Sequence, residues 1–132
     1  MNHKIRDAKT AFVVLRHSNH PTMQNHYDIL LEDYPGENLD EVALTKLETT
    51  SELDQTKLLV SFQGKIRRKY LQYEGLMSDD RGSVKRVDQG TYRIDNHDCI
   101  EFKGENLKGT YLLETVNKDV SGFQKSVSLI RL

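Results

Sequence analysis

Tryptophan is absent from this 132-residue chain, and it has only one cysteine (Cys99) and two prolines (Pro21, Pro35). A lone cysteine excludes an internal disulfide and a thiolate zinc site, so any metal must be held by histidine and carboxylate. An excess of either charge is lacking too, since nineteen basic residues face twenty acidic ones for a net charge of −1. That balance excludes nucleic-acid binding driven by bulk electrostatics and leaves only local patches to support it. There is no long uncharged apolar run, hence no candidate membrane-spanning helix, and no stretch reads as a secretory leader. With 36% apolar and 30% charged residues, the composition is that of a soluble globular protein, expected in the cytoplasm. The length is about the modal size of one domain, so residues 1–132 are read as one unit with a flexible or partly ordered lead-in over 1–10.

What is present is a series of short runs rich in Val, Ile, Leu, Tyr and Phe, separated by Gly, Asn and Asp. This pattern predicts strands near 11–16, 26–32, 40–45, 57–63, 83–93, 98–103, 107–116 and 124–131. About eight strands in a chain of this size predict an all-β protein, a compact antiparallel barrel with at most one or two helical turns. Turn chemistry is strong at Tyr34-Pro35-Gly36-Glu37-Asn38, Asp88-Gln89-Gly90, Lys103-Gly104-Glu105-Asn106 and Ser121-Gly122. Residues 47–56 read as a polar loop or one helical turn, and 17–25 as a polar loop at the barrel mouth. Neither a long 3.6-residue periodicity nor an internal repeat is visible.

The most informative residues are His17, His26 and Asp28. Alternate side chains of a strand share a face, so His26 and Asp28 in His26-Tyr27-Asp28-Ile29-Leu30-Leu31-Glu32 point the same way. His17 ends the run Ala11-Phe12-Val13-Val14-Leu15-Arg16, and a hairpin between the two runs returns His26 to its side. An unpartnered carboxylate in an apolar strand costs several kcal/mol, roughly, and a cation removes that cost. Two nitrogens and one oxygen suit Zn²⁺, Mn²⁺ or Fe²⁺ and leave coordination positions open. His20, six residues before His26, competes with His17 for the third place. A different set, His26-x-Asp28 with His97 as a distal ligand, resembles the facial triad of non-haem iron oxygenases, although the expected Arg or Lys after the distal histidine is missing. Local basic patches are Arg67-Arg68-Lys69 and the stretch from Arg81 to Arg86.

Several blocks occur in a telling order: Phe12-Val13-Val14-Leu15-Arg16-His17, His26 to Glu32, Val42-Ala43-Leu44-Thr45-Lys46 and Tyr70-Leu71-Gln72-Tyr73-Glu74-Gly75. Arg81-Gly82-Ser83-Val84, Asp88-Gln89-Gly90-Thr91-Tyr92 and Phe102 through Leu113 follow. From about residue 11 onward this order resembles the 3′-phosphoesterase domain of bacterial DNA ligase D, of the DNA polymerase/ligase N-terminal domain family, and its stand-alone relatives. A monomer is expected, and the resemblance implies a compact β-barrel with a divalent metal, Mn²⁺ preferred. It implies removal of a 3′-ribonucleotide or 3′-phosphate from DNA or RNA–DNA ends during repair, with a DNA ligase or polymerase as partner in trans. On this resemblance His17, His26 and Asp28 are the metal ligands, Tyr70 is an active-site tyrosine and Lys46 a lysine near the phosphate.

Two positions depart from that family. Its arginine two residues after the metal-binding aspartate is Leu30 here, and its histidine about four residues before the tyrosine falls at Ile66 or Lys65. Loss of one such donor to a developing oxyanion costs on the order of 10²–10³ in rate. Arg67, Arg68, Arg81 and Arg86 are therefore the candidates to contact phosphate in their place, a guanidinium fork suiting two oxygens. The alternative expectation is a catalytically degenerate module that binds DNA ends and keeps the barrel and metal.

Overall fold

Apolar residues on both parities of a strand mean that both of its faces are covered, and the run from Ala11 to Leu15 has that character. A computed structural model describes residues 10–95, 98–118 and 125–132. Its strands are β1 (Thr10–Ser18), β2 (His26–Glu32), β3 (Val42–Thr49), β4 (Lys57–Arg67), β5 (Gly75–Leu76), β6 (Ser83–Ile94), β7 (Cys99–Lys103), β8 (Lys108–Lys118) and β9 (Lys125–Arg131). All pairings are antiparallel, in the order β1-β2-β3-β4-β9-β8-β7-β6, and β1 pairs with β6 to close an eight-stranded barrel. The two-residue β5 pairs with β6 beside it. Short 3₁₀ turns at Arg68–Leu71 and Ser78–Asp80 are the helical elements among the described residues. Among the described residues no helix is long and apolar enough to cross a membrane.

One face of each barrel strand fills the lumen. Phe12 and Val14, Ile29 and Leu31, Leu47, Leu58 and Val60, Tyr92, Ile100 and Phe102, Tyr111 and Leu129 form one buried cluster. Phe102 is its aromatic centre, with ring centroids 5.0 Å from Phe12 and 5.7 Å from Tyr111. Such edge-on pairs add about 0.5–1.5 kcal/mol beyond area burial. The opposite face of β6, β1, β2 and β3 carries a second layer of Val84, Val13, Leu15, Leu30 and Leu44, covered by Ile66, Tyr70, Leu71, Tyr73 and Met77. The lumen and this covered quadrant together explain the uninterrupted apolar runs in β1 and β2.

The eight expected strands are present, and three local differences matter. β3 runs to Thr49, so residues expected in a polar loop from 47 instead carry strand alternation, with Leu47 and Thr49 buried and Lys46 and Glu48 on the other face. Tyr70 and Tyr73 lie in and after a 3₁₀ turn, in a stretch where the sequence predicts no element. Asp88-Gln89-Gly90 is no chain reversal: it sits within β6 beside a bulge opposite Val14 and Leu15. There the Asp88 carboxylate accepts the backbone N–H groups of Gln89, Glu105, Asn106 and Leu107 at 2.7–3.1 Å, fixing the β7–β8 turn. A side chain at Gly90 would place its Cβ 2.1 Å from the Lys103 carbonyl oxygen, which is why that position is glycine. The Ser121-Gly122 turn, His97 and most of the 1–10 lead-in lie outside the described residues.

Candidate metal centre

His17 and His26 are register partners across β1 and β2, the last pair before the loop that joins these strands. One step along, Asp28 faces Leu15 on β1 and Glu48 on β3. Directly opposed residues of an antiparallel pair point to the same face with Cβ atoms about 5 Å apart. His17, His26, Asp28 and Glu48 therefore share the outer face of the barrel, at the edge of the second apolar layer. The site is on this covered quadrant and not in the lumen.

One donor atom from each of His17, His26 and Asp28 lies within 4.8 Å of the others, and all three residues are buried. The closest contacts are 3.2 Å from His26 Nε2 to Asp28 Oδ1 and 3.6 Å from His17 Nδ1 to Asp28 Oδ2. The remaining ring nitrogens are tied to backbone: His17 Nε2 to the Arg81 carbonyl oxygen at 2.5 Å, and His26 Nδ1 to that of Gln24 at 2.9 Å. A carbonyl can only accept, so each imidazole donates its N–H outward and turns a lone pair inward. Three of the buried side-chain atoms without a hydrogen-bond partner are His17 Nδ1, His26 Nε2 and Asp28 Oδ1. Buried polar atoms are rarely left unpaired, and here the three converge.

These residues fit a divalent cation. Ligand bonds of ~2.1 Å hold neighbouring donors roughly 3.0–3.4 Å apart, close to the two contacts made by Asp28. A histidine ligand with its second nitrogen on a backbone carbonyl is the usual outer support of a metal site. Charge argues the same way, because His26 Nε2 lies between Asp28 and the Glu48 carboxylate, whose Oε1 is 3.3 Å away. Burial alone would lower the His26 pKa. The contact with Asp28, the Gln24 carbonyl and the charges of Asp28 and Glu48 outweigh it, so the pKa is raised above 6.5. Two carboxylates in this setting require a counter-charge, either a proton on His26 or a cation in its place.

The other candidate residues fall into three groups. Lys46, half-buried on β3, faces Leu30 one step from the Asp28–Glu48 pair, so it shares the face of the centre. Arg86 is on that face too, opposite Leu15, which in turn opposes Asp28. At about 4.8 Å per strand, this puts the Arg86 backbone roughly 10 Å from that of Asp28. Its Nη1 donates to Gln89 Oε1 at 2.8 Å, and its buried Nε lacks a partner. Tyr70 packs over the second apolar layer and lines an open groove of about 640 Å³ with Leu39, Tyr73, Leu76 and Met77.

Arg81, Arg68, Arg67 and His20 are placed differently. The Arg81 side chain is exposed and bonds Ser78, at its carbonyl and at Oγ, while its own carbonyl oxygen holds His17. Gly82, at φ +83°, permits this approach, since a Cβ there would sit 2.1 Å from the Ser18 carbonyl oxygen. Arg68 is 2% exposed, with its guanidinium bonded to Glu32, Glu41 and the carbonyl oxygens of Asn38 and Tyr34. Glu32 is six residues from His26 along β2, roughly 20 Å, so Arg68 serves the far end of that strand. Arg67 is exposed at the end of β4. His20 accepts the N–H groups of Thr22 and Met23 at Nδ1, and its ring stands edge-on to His17 at 5.8 Å.

Leu30 and Ile66 meet in the second apolar layer, where Leu30 is 1% exposed. The residue missed from sequence is Glu48. Its signal was the alternation Thr45-Lys46-Leu47-Glu48-Thr49, which continues β3 past the point where the polar content suggests a loop. Compared with known proteins, the chain matches no family model and no curated sequence.

Proposed function

We propose that this protein is a metal-dependent phosphoesterase acting on nucleic-acid 3′ ends in the cytoplasm, removing a 3′-phosphate or 3′-ribonucleotide. The observation that carries the reading is the convergence of three orphaned buried donor atoms, His17 Nδ1, His26 Nε2 and Asp28 Oδ1, from imidazoles whose outer nitrogens are pinned to backbone. The ordered sequence blocks supply the substrate class by resemblance. A divalent ion held by these residues, with Mn²⁺ favoured, would supply Lewis acidity and a nucleophilic water at neutral pH. Lys46 and Arg86 share the face of the centre and would bring positive charge to the phosphate. Tyr70 borders an open groove, where its ring would offer a stacking surface for a terminal base.

Purified protein incubated with Mn²⁺ and a primer ending in 3′-phosphate or a single 3′-ribonucleotide is expected to yield a 3′-hydroxyl end. His26→Ala should abolish that product. An unchanged primer beside a working positive control would reject the catalytic reading.

A second reading is favoured by Leu30 and Ile66, which present hydrocarbon where the resembled family has a cation and an imidazole. Under it the barrel binds DNA ends through the metal and the remaining basic residues without turnover. Retention of a labelled 3′-phosphate end with no product over hours would support this reading against the first.

A further inference from the structure

Glu48 lies outside the three-residue donor set, and its position next to that set is specific. It is the register partner of Asp28, and its Oε1 is 3.3 Å from His26 Nε2, nearly the same separation as from that nitrogen to Asp28 Oδ1. His26 Nε2 is buried and makes no hydrogen bond with either oxygen. Two carboxylates from adjacent strands thus flank one inward nitrogen at the spacing of neighbouring ligands. The Glu48 side chain is 19% exposed against 5% for Asp28, so it borders the solvent side of the centre.

We infer that Glu48 is a fourth metal ligand, completing a site of two imidazoles and two carboxylates spread over β1, β2 and β3. The inference rests on the metal centre of the reading above and not on its substrate. Two neutral imidazoles and two carboxylates bring a divalent cation to zero net charge, which suits removal from bulk water. Oxygen ligands also move the preference toward Mn²⁺ and away from the softer transition ions.

A competing role for Glu48, as counter-ion to a protonated His26, predicts the opposite result. Its removal would then ease loss of the His26 proton and leave metal binding equal or tighter. Calorimetric titration of purified protein with Mn²⁺ at neutral pH, comparing the wild type with Glu48→Gln, Glu48→Asp and His26→Ala, separates the two. The expected result is a Kd raised at least about tenfold by Glu48→Gln, as for other losses around a metal. Glu48→Asp, which keeps the charge but withdraws the oxygen by one methylene, should weaken binding as well. Glu48→Gln binding equal to or tighter than wild type, or Glu48→Asp binding as wild type, would overturn the inference and leave the three-residue centre standing. A wild-type protein that binds no divalent ion would overturn both. A thermal melt of each metal-free variant confirms that the folded barrel is being compared.

Discussion

His26 carries the most chemistry of any single residue here, because its two nitrogens are committed in opposite directions. Nδ1 is spent on the Gln24 carbonyl, and Nε2 is offered to Asp28 and Glu48. In the proposed metal centre a proton and a metal ion would therefore compete for one lone pair. The folded pKa is raised above 6.5, so protonation stabilises the metal-free protein below about pH 6.5, and this contribution is lost as pH rises through the folded value. Metal binding runs the other way, strengthening as the proton leaves. Melting temperatures recorded from about pH 5.5 to 8.5 should fall with pH in chelator and rise with pH in Mn²⁺. His26→Ala should flatten both trends. Parallel curves with and without metal would refute the competition.

Among the elements, the segment from Ile66 to Gly82 links the fold to the centre. At its start Arg68 ties Glu32 on β2 to Glu41 and to the carbonyl oxygens of the β2–β3 connection. At its end Arg81 delivers a carbonyl to His17. Arg68→Met should lower the melting temperature sharply, since it leaves buried Glu32 without its cation. Arg68→Lys should recover only part of the loss, because a point charge cannot replace a planar fork. The hydrogen bond from Arg68 holds the Glu41 carboxyl below its ordinary 4.5. That contribution is present above pH 4.5 and fades as pH falls through the lower folded value, so the Arg68→Met variant should show a shallower acid limb. Once refolded and saturated, either variant should retain the Mn²⁺ affinity of the wild type, the centre being roughly 20 Å along β2.

These elements were unequally legible in the chain. The strands that build the lumen could be read because burial on a closed barrel demands short runs of β-branched, aliphatic and aromatic residues, as in Phe12-Val13-Val14-Leu15. The second half of β3 could not, because its outer face meets a polar centre and not an apolar layer, so Lys46 and Glu48 imitate a loop. His17, His26 and Asp28 were legible because hairpin geometry alone brings them together. Their support by the Arg81 and Gln24 carbonyls was not, since backbone acceptors leave no trace in residue type. Arg68 reads as a free basic residue until Glu32, Glu41 and two carbonyls are seen around it.

For the whole molecule, the near balance of charge limits how nucleic acid would be held under the proposed function. With positive charge on the site face coming from a few residues such as Lys46 and Arg86, engagement of a 3′ end should involve only a few phosphates. Binding to a duplex end, followed by anisotropy across a salt series, is expected to give a log–log slope of roughly −2 to −3, the value for two or three neutralised phosphates. A slope near −6 or steeper would require a broad basic surface and contradict this arrangement.

β1, β2 and β3 each lend donors to the same point, and strand side chains alternate inside and out. A slip of β2 by one residue would swing His26 and Asp28 into the greasy interior and carry Ile29 and Leu31 out of the lumen they fill. A bound ion would thus favour one alignment of three strands over its near-degenerate neighbours, acting during assembly as a key that only the native registration fits.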